Sequence, residues 1–306
     1  MENHTQIKTL ISIVGPTAIG KTHLAIEIAK YYSSEIISCD SRQFFKEMKI
    51  GTAVPSDEEL NEVEHHFIQN KSIHEKYSVG DFERHGLNFI EDFFIKNDIC
   101  VMVGGSGLYE KAITVGFDDF PDVDPKIREQ LNNELEEFGI EKLQEELKQV
   151  DPNYFNEVDI YNKQRVIRAL EIYRSSGSPF SKFRNNNLNK RTFNIIKIGL
   201  ELPREEMYDR INQRVDIMIN EGLVEEAKSL FHLKELNALQ TVGYRELFDY
   251  FEEKISLDFA IEEIKKNTRR FAKRQMTWFK KDKTVTWFSP KDEQSIIEFI
   301  NSKLNS

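Results

Sequence analysis

The chain has no apolar run long enough to cross a membrane. A spanning helix needs about 20 consecutive apolar residues, and stretches such as Ile11 to Val14 or Ile99 to Val103 reach roughly a quarter of that. Cysteine is scarce too: Cys39 and Cys100 each sit inside an apolar strand-like run, which suits buried reduced thiols and excludes a disulfide framework or a zinc knuckle. Glycine (14) and proline (8) are too sparse for a repeat or low-complexity chain. The start of the chain lacks a basic stretch followed by an apolar one, so no secretory signal is expected and a cytoplasmic location is. Positive charge is short as well, with 42 Lys+Arg against 52 Asp+Glu; the formal net charge of −10, taken whole, argues against a nucleic-acid partner. What is left, 306 residues of which 39% are hydrophobic, is a globular protein of one large domain or two smaller ones.

Thr9 to Val14 reads as a short buried strand, followed by a glycine-bounded loop and a helical pattern carrying Leu24, Ala25, Ile28 and Ala29. Further strand-like runs, Glu35 to Asp40 and Asn97 to Val103, are separated by helix-length segments, which predicts βαβ units and a mainly parallel sheet flanked by helices. From about Phe117 the texture changes. Asp118 to Pro125 reads as a loop, Lys126 to Ser176 as helix without a strand signal, and Asn185 to Asn189 as a polar connection, before Phe193 to Leu200 alternates like a strand. Residues 117–190 are therefore expected as an inserted all-helical domain, with residues 1–116 and 191–306 forming one α/β core. That core would end in helices over Arg204 to Lys283 and an edge strand, Val285 to Phe288.

The strongest chemical signal is Gly15-Pro16-Thr17-Ala18-Ile19-Gly20-Lys21-Thr22, a full G-x-x-x-x-G-K-[ST] match with a strand before it and a helix after. Glycines let backbone N–H groups converge on a phosphate, the helix N-terminus adds a positive dipole end, Lys21 adds a charge, and the Thr22 hydroxyl suits Mg²⁺. A polyphosphate is expected here. Asp40, followed by Ser41, closes the second strand run on the carboxyl edge where parallel sheets bind ligands. An acid there can organise Mg²⁺ or a nucleophile; capping a following helix is its competing role. Ser106, in Gly104-Gly105-Ser106-Gly107, ends a third strand run at the same edge.

Charge is segregated. Residues 265–283 hold nine Lys/Arg and one acid, and residues 163–191 hold eight and one. Lys265, Lys266, Arg269, Arg270, Lys273 and Arg274 fall on one helical stripe, with no acid at compensating spacings inside the segment. Such runs are ordinarily solvated faces. Two of them beside a phosphate loop, on a chain otherwise acidic, point to a polyanion larger than a nucleotide.

These residues fall in an order that resembles the tRNA dimethylallyltransferases over nearly the whole chain. The likeness runs through the phosphate loop, Asp40-Ser41-Arg42-Gln43, Met48 to Ala53, Val103 to Tyr109, Asp124 to Arg128, Gln164-Arg165-Val166-Ile167-Arg168 to Glu171, Val242-Gly243-Tyr244-Arg245 and Thr268 to Phe279. The resemblance implies a P-loop NTPase-like core with an inserted helical domain. It also implies transfer of a dimethylallyl group from its diphosphate to N6 of the adenosine 3′-adjacent to the anticodon, with Mg²⁺ as cofactor. By resemblance Asp40 is the base that takes the amine proton, and Lys21, Thr22, Arg210 and Arg214 serve the diphosphate. Asp40 to Gln43, Ser106, Arg128, Gln164 to Arg168 and Val242 to Arg245 would line the tRNA path, with Arg270, Lys273 and Arg274 gripping the anticodon stem. The competing, lesser reading of Arg210 and Arg214 is a salt-bridged surface helix near Glu206, Asp209 and Asp216. Expected partners are tRNA and dimethylallyl diphosphate, with no membrane and a monomeric state. Three positions depart from the family pattern: Ser106 stands for Thr, Phe45 for Tyr and Asn162 for Asp. A P-loop kinase of a nucleotide or small molecule would explain the loop and Asp40 but not the basic helix. A non-catalytic RNA-binding NTPase would leave the ordered motifs without use.

Overall fold

The computed structural model describes residues 7–118, 120–184 and 191–305. The polar connection Asn185 to Asn189, with Lys190, lies outside the described residues. The chain divides into two compact units, residues 1–114 with 191–306, and residues 115–190.

The first unit begins β1 (Thr9–Val14), α1 (Lys21–Tyr31), β2 (Ile36–Ser38), α2 (Asp57–Glu62), β3 (His65–His66), α3 (Val79–Phe93), β4 (Ile99–Gly104) and α4 (Gly107–Thr114). The described secondary-structure elements of the second unit are all helices: α5 (Pro125–Phe138), α6 (Ile140–Val150), α7 (Pro152–Glu157), α8 (Lys163–Ser176) and α9 (Phe180–Phe183). The chain then completes the first unit with β5 (Asn194–Leu200), α10 (Arg204–Asn220), α11 (Leu223–Leu230), α12 (Tyr244–Phe251), α13 (Leu257–Phe279), β6 (Val285–Phe288) and α14 (Glu293–Leu304).

The sheet order is β3-β2-β4-β1-β5-β6, and every neighbouring pair runs parallel. β1 is buried along its whole length, as a central parallel strand covered on both faces must be. One face packs on α1 and α14 through Ile11, Ile13, Ile28 and Ile300; the other packs on α3 and α4 through Leu10, Phe82, Ile90 and Ile113. β3, two residues long, is the one strand that apolar periodicity did not signal: His65-His66 has no hydrophobic run, and it forms by pairing with Ile36 and Ile37. The helical unit has its own core of Leu131, Leu143, Leu147, Val166, Ile167 and Leu170. Asn162 caps α8, its side chain accepting from the Arg165 N–H at 3.3 Å, so this departure from the family pattern still supplies a capping oxygen.

Structure also corrects the reading of charge. Lys265 pairs with Glu262 (3.2 Å) and Asp216 (2.8 Å), and Lys266 with Glu263 (2.7 Å), so two acids just N-terminal to the basic segment and one on α10 relieve its first turn. In the helical unit Arg174 is clamped by Glu134 and Glu146, Arg184 pairs with Glu157 and Arg168 with Glu171, so three cations of that second basic run are paired internally.

One cation is buried in the sheet. Lys197 on β5 places Nζ 3.0 Å from Glu110 Oε1 and 2.8 Å from Asp282 Oδ2, and donates to Thr114 Oγ1 at 3.1 Å. Glu110 is 3% exposed, so removing the ammonium strands a carboxylate away from water. Lys197→Met should cost about 3 to 5 kcal/mol, read as a lowered urea midpoint; a loss below about 1 kcal/mol would show that Glu110 finds another partner.

Candidate active site

The register of the central strands places every loop of the site on one edge. Val14 lies opposite Gly104 on β4 and Gly199 on β5, so the segment after β1 starts between two glycine strand ends. That segment turns tightly: Ala18 (φ 63°) and Gly20 (φ 99°) lie in the left-handed region, which costs glycine nothing and turns peptide N–H groups inward. Gly20 is the N-cap of α1 and offers no side-chain acceptor, so the first-turn N–H groups remain for a ligand. Lys21 Nζ donates to Pro16 O across the loop at 2.7 Å.

A cavity of about 380 Å³ opens over this edge. Its polar end is lined by Thr17, Lys21, Thr22, Asp40, Ser106 and Arg214; its other side by Ile211, Val215, Met218, Leu223, Val242 and Phe271. Asp40 does not cap a helix. Its Oδ1 accepts the Arg42 N–H at 3.0 Å, closing a turn that holds the carboxylate at the strand end. Ser106 ties the neighbouring end in place, accepting the Ser41 N–H at 3.0 Å and donating to Ser41 Oγ at 3.1 Å, so serine at this position keeps a working hydroxyl. Burial lowers the Lys21 amine to about 8, Asp40 opposing that shift and Arg214 adding to it. Burial likewise lowers Arg214, against the charge of Asp40.

The two arginines four apart on α10 part company. Arg214 has no acidic partner among the described residues and reaches Thr17 Oγ1 at 3.4 Å, whereas Arg210 pairs with Glu206 at 3.3 Å. A second cavity, of about 450 Å³, takes in the loop residues Ala18, Ile19 and Gly20 with Arg210, and shares Lys21, Thr22 and Arg214 with the first.

Several residues expected at the RNA path have other duties. Tyr244 is fully buried, its hydroxyl donating to Glu226 Oε1 at 2.6 Å; Val166 and Ile167 are fully buried in the helical unit's core. Their side chains are not available to RNA, because an apolar stripe at helical spacing was filled by packing. Arg42 donates to Asn237 O (2.9 Å) and Ala238 O (3.1 Å), and Gln43 donates to Ala53 O (2.9 Å) while accepting from Ser38, so both shape the cavity wall. Val242, Gly243 and Arg245 line that cavity, with Arg245 exposed. Arg128 and Arg168 sit in the helical unit, both paired with buried Glu171 (3.8 and 3.1 Å), and Arg128 also donates to Gln164 at 3.4 Å; Gln164 and Arg165 are exposed. On α13, Arg270, Lys273 and Arg274 are exposed and have no acidic partner among the described residues.

Two residues were missed. Glu226 accepts the N–H groups of Lys49, Ile50 and Gly51 (3.0, 2.8 and 2.9 Å), bracing a loop that borders the cavity. Gln275, inside the basic helix, is 6% exposed and contacts the phosphate loop. A polar residue on the buried face of α13, between Ala272 and Phe279, was its one visible signal.

Comparison with known proteins gives a consistent likeness. The family model described as IPP transferase matches residues 43–282. The tRNA dimethylallyltransferase of Flavobacterium psychrophilum is 57% identical over 302 residues, covering 96% of this chain and 98% of its own. That of Flavobacterium johnsoniae is 56% identical over 307, covering 98% and 99%. Among solved structures, the tRNA isopentenylpyrophosphate transferase of Bacillus halodurans superposes with a TM-score of 0.72 at 37% identity, over 97% of each chain. A eukaryotic dimethylallyltransferase acting on tRNA gives 0.81 at 26% identity, over 97% of this chain and 80% of its own.

The Lys21 amine carries a pH prediction. In the unliganded protein it loses its charge as pH rises through about 8, so binding inorganic pyrophosphate above that pH requires proton uptake. Calorimetric affinity should fall by up to about tenfold per pH unit beyond that point. Lys21→Met should lack this fall, which separates it from ionisation of the ligand; equal slopes in the two proteins would exclude Lys21 as the source.

Proposed function

The chain belongs to the IPP transferase family, and from that premise we propose that it transfers a dimethylallyl group from dimethylallyl diphosphate to N6 of the adenosine 3′-adjacent to the anticodon of tRNA, releasing pyrophosphate. The observation that carries this reading is the single cavity joining a phosphate loop, the Asp40 carboxylate and an apolar wall, with Phe271 and Arg274 of the cationic helix among its lining residues. The relatives' names favour alkyl transfer to tRNA over phosphoryl transfer by a kinase.

Physical chemistry assigns the steps. The exocyclic amine of adenine is a weak nucleophile because its lone pair is delocalised into the ring. N6 forms a bond to C1 of the dimethylallyl group as the C1–O bond to diphosphate breaks, and Asp40 takes the N6 proton. The bond pair leaves with pyrophosphate, whose growing negative charge is met by Lys21, Arg214 and the loop N–H groups. Ile211, Val215 and Met218 offer a dry wall for the five-carbon chain. The adenine must leave its stack to enter such a cavity, so base flipping is expected. The stem backbone would be held by Arg270, Lys273 and Arg274, and Arg128, Gln164, Arg165 and Arg168 of the helical unit supply further RNA contacts.

Mg²⁺ fits the residues present. The Thr22 hydroxyl and the Asp40 carboxylate line one cavity as hard oxygen donors, and Mg²⁺ takes few protein oxygens beside phosphate and water. When bound, it would neutralise charge on the diphosphate. The protein is expected to act as a cytoplasmic monomer.

Incubation with Mg²⁺, dimethylallyl diphosphate and unmodified tRNA should yield prenylated tRNA. Asp40→Ala should lower the rate about 10²- to 10⁴-fold; phosphate release from ATP without alkylation would overturn the reading. Separately, changing Arg270 and Arg274 to Ala should weaken tRNA binding and reduce the slope of log K against log salt by about 2. An unchanged slope would remove these residues from the interface.

A further inference from the structure

Gln275 joins three elements that the chemistry needs in register. It projects from the buried face of α13, one turn beyond Phe271 and next to Arg274 in sequence. Its Oε1 accepts the Thr17 N–H of the phosphate loop at 2.9 Å, and its Nε2 donates to Gly105 O, beyond the end of β4, at 2.9 Å. The partners determine which way the amide points, because a backbone N–H can only donate and a carbonyl can only accept.

The fit is tight. A Cβ on Gly105 would lie 2.3 Å from Gln275 Nε2, and one on Gly107 would lie 2.2 Å from the Trp278 ring, one turn further along α13. The bond also turns the Thr17 N–H toward α13 rather than toward the phosphate space, while the Thr17 hydroxyl meets Arg214 Nη1 at 3.4 Å. One side chain therefore sets the Pro16–Thr17 peptide of the loop and, through Thr17, the arginine beside it. Gly105 precedes Ser106, which holds Ser41 next to Asp40. Arg270, Lys273 and Arg274 of the same helix are exposed and have no acidic partner among the described residues, and Arg274 lines the cavity beside Gln275.

Resting on the reading of α13 as the RNA-gripping helix, we infer that Gln275 is a positioning residue that couples RNA occupancy of α13 to the diphosphate site. A polyanion seated on α13 restrains the helix, and the rigid amide transmits that restraint to Thr17 and Gly105. The coupling is reciprocal: the factor by which RNA tightens the phosphate ligand is the factor by which that ligand tightens RNA.

The test titrates inorganic pyrophosphate with Mg²⁺ into the full chain, alone and saturated with an anticodon stem-loop RNA. In the unaltered protein RNA should tighten pyrophosphate about fivefold or more. Two variants probe the amide. Gln275→Glu keeps an acceptor for Thr17 but sets a carboxylate oxygen against Gly105 O. Gly105→Ala leaves Gln275 intact and occupies the space of its Nε2. In both, at a melting temperature within a few degrees of the parent, the RNA effect should fall to one. A coupling factor of one in the unaltered protein, or a full factor retained in the folded variants, would overturn the inference, as would variants that lose only thermal stability. Prenylation of tRNA is measured in parallel on the unaltered protein. Coupling without alkylation would sink the proposed reaction and leave the role of Gln275 standing, and alkylation without coupling would do the reverse.

Discussion

Everything functional in the α/β unit depends on the parallel register of β1 with β4 and β5. Parallel neighbours end on the same edge, so the segments after β1, β2 and β4 leave the sheet side by side although some 90 residues of sequence separate Val14 from Gly104. Close approach at that edge needs missing side chains. A Cβ on Gly104 would fall 2.5 Å from Cys39 Sγ, the residue before Asp40, and one on Gly15 would fall 2.9 Å from Leu200 O. Glycine at these strand ends lets the acid, the phosphate loop and Ser106 share one cavity.

Charge at that edge is arranged so that it is costly without a ligand. Lys21 and Arg214 are both pushed toward their neutral forms by burial, and Asp40 is the foremost acidic group opposing this in each case, joined at Arg214 by Glu59 and Glu221. In the proposed reaction a diphosphate would supply the missing negative charge, and the leaving group would supply more of it as the bond breaks. Structural cations elsewhere are matched closely by acids: Lys197 by Glu110 and Asp282, Arg174 by Glu134 and Glu146. Against that background, Arg214 at the loop and Arg270, Lys273 and Arg274 on α13 have no acidic partner among the described residues, which is why the proposal gives them phosphate.

Much of this was legible along the chain. β1 spans the very residues its apolar run marks, β5 and β6 match their alternation to within a residue, and the phosphate loop declares its context. Short-range pattern suffices there because each signal is local: a run, a turn, a helix start. It failed where pairing decides. His65-His66 becomes a strand only because Ile36 and Ile37 lie beside it. Arg210 and Arg214 look alike at four-residue spacing, yet one meets Glu206 and the other Thr17. Tyr244, Val166 and Ile167 stand in motifs that suggested contact with RNA, and the fold uses them as core.

The amino-acid order by itself determined the class of sheet, the phosphate loop and the segregation of positive charge, since each is written in neighbouring residues and their spacing. Tertiary structure alone decided which of the described site cations lack an acidic partner, which acids relieve the basic helix, and that Gln275, 258 residues from Thr17, closes the loop against α13. The physical reason is one of range. Backbone propensity and amphipathic period act over a few residues, whereas hydrogen bonds and ion pairs act over about 3 Å between groups that only the packed core brings together.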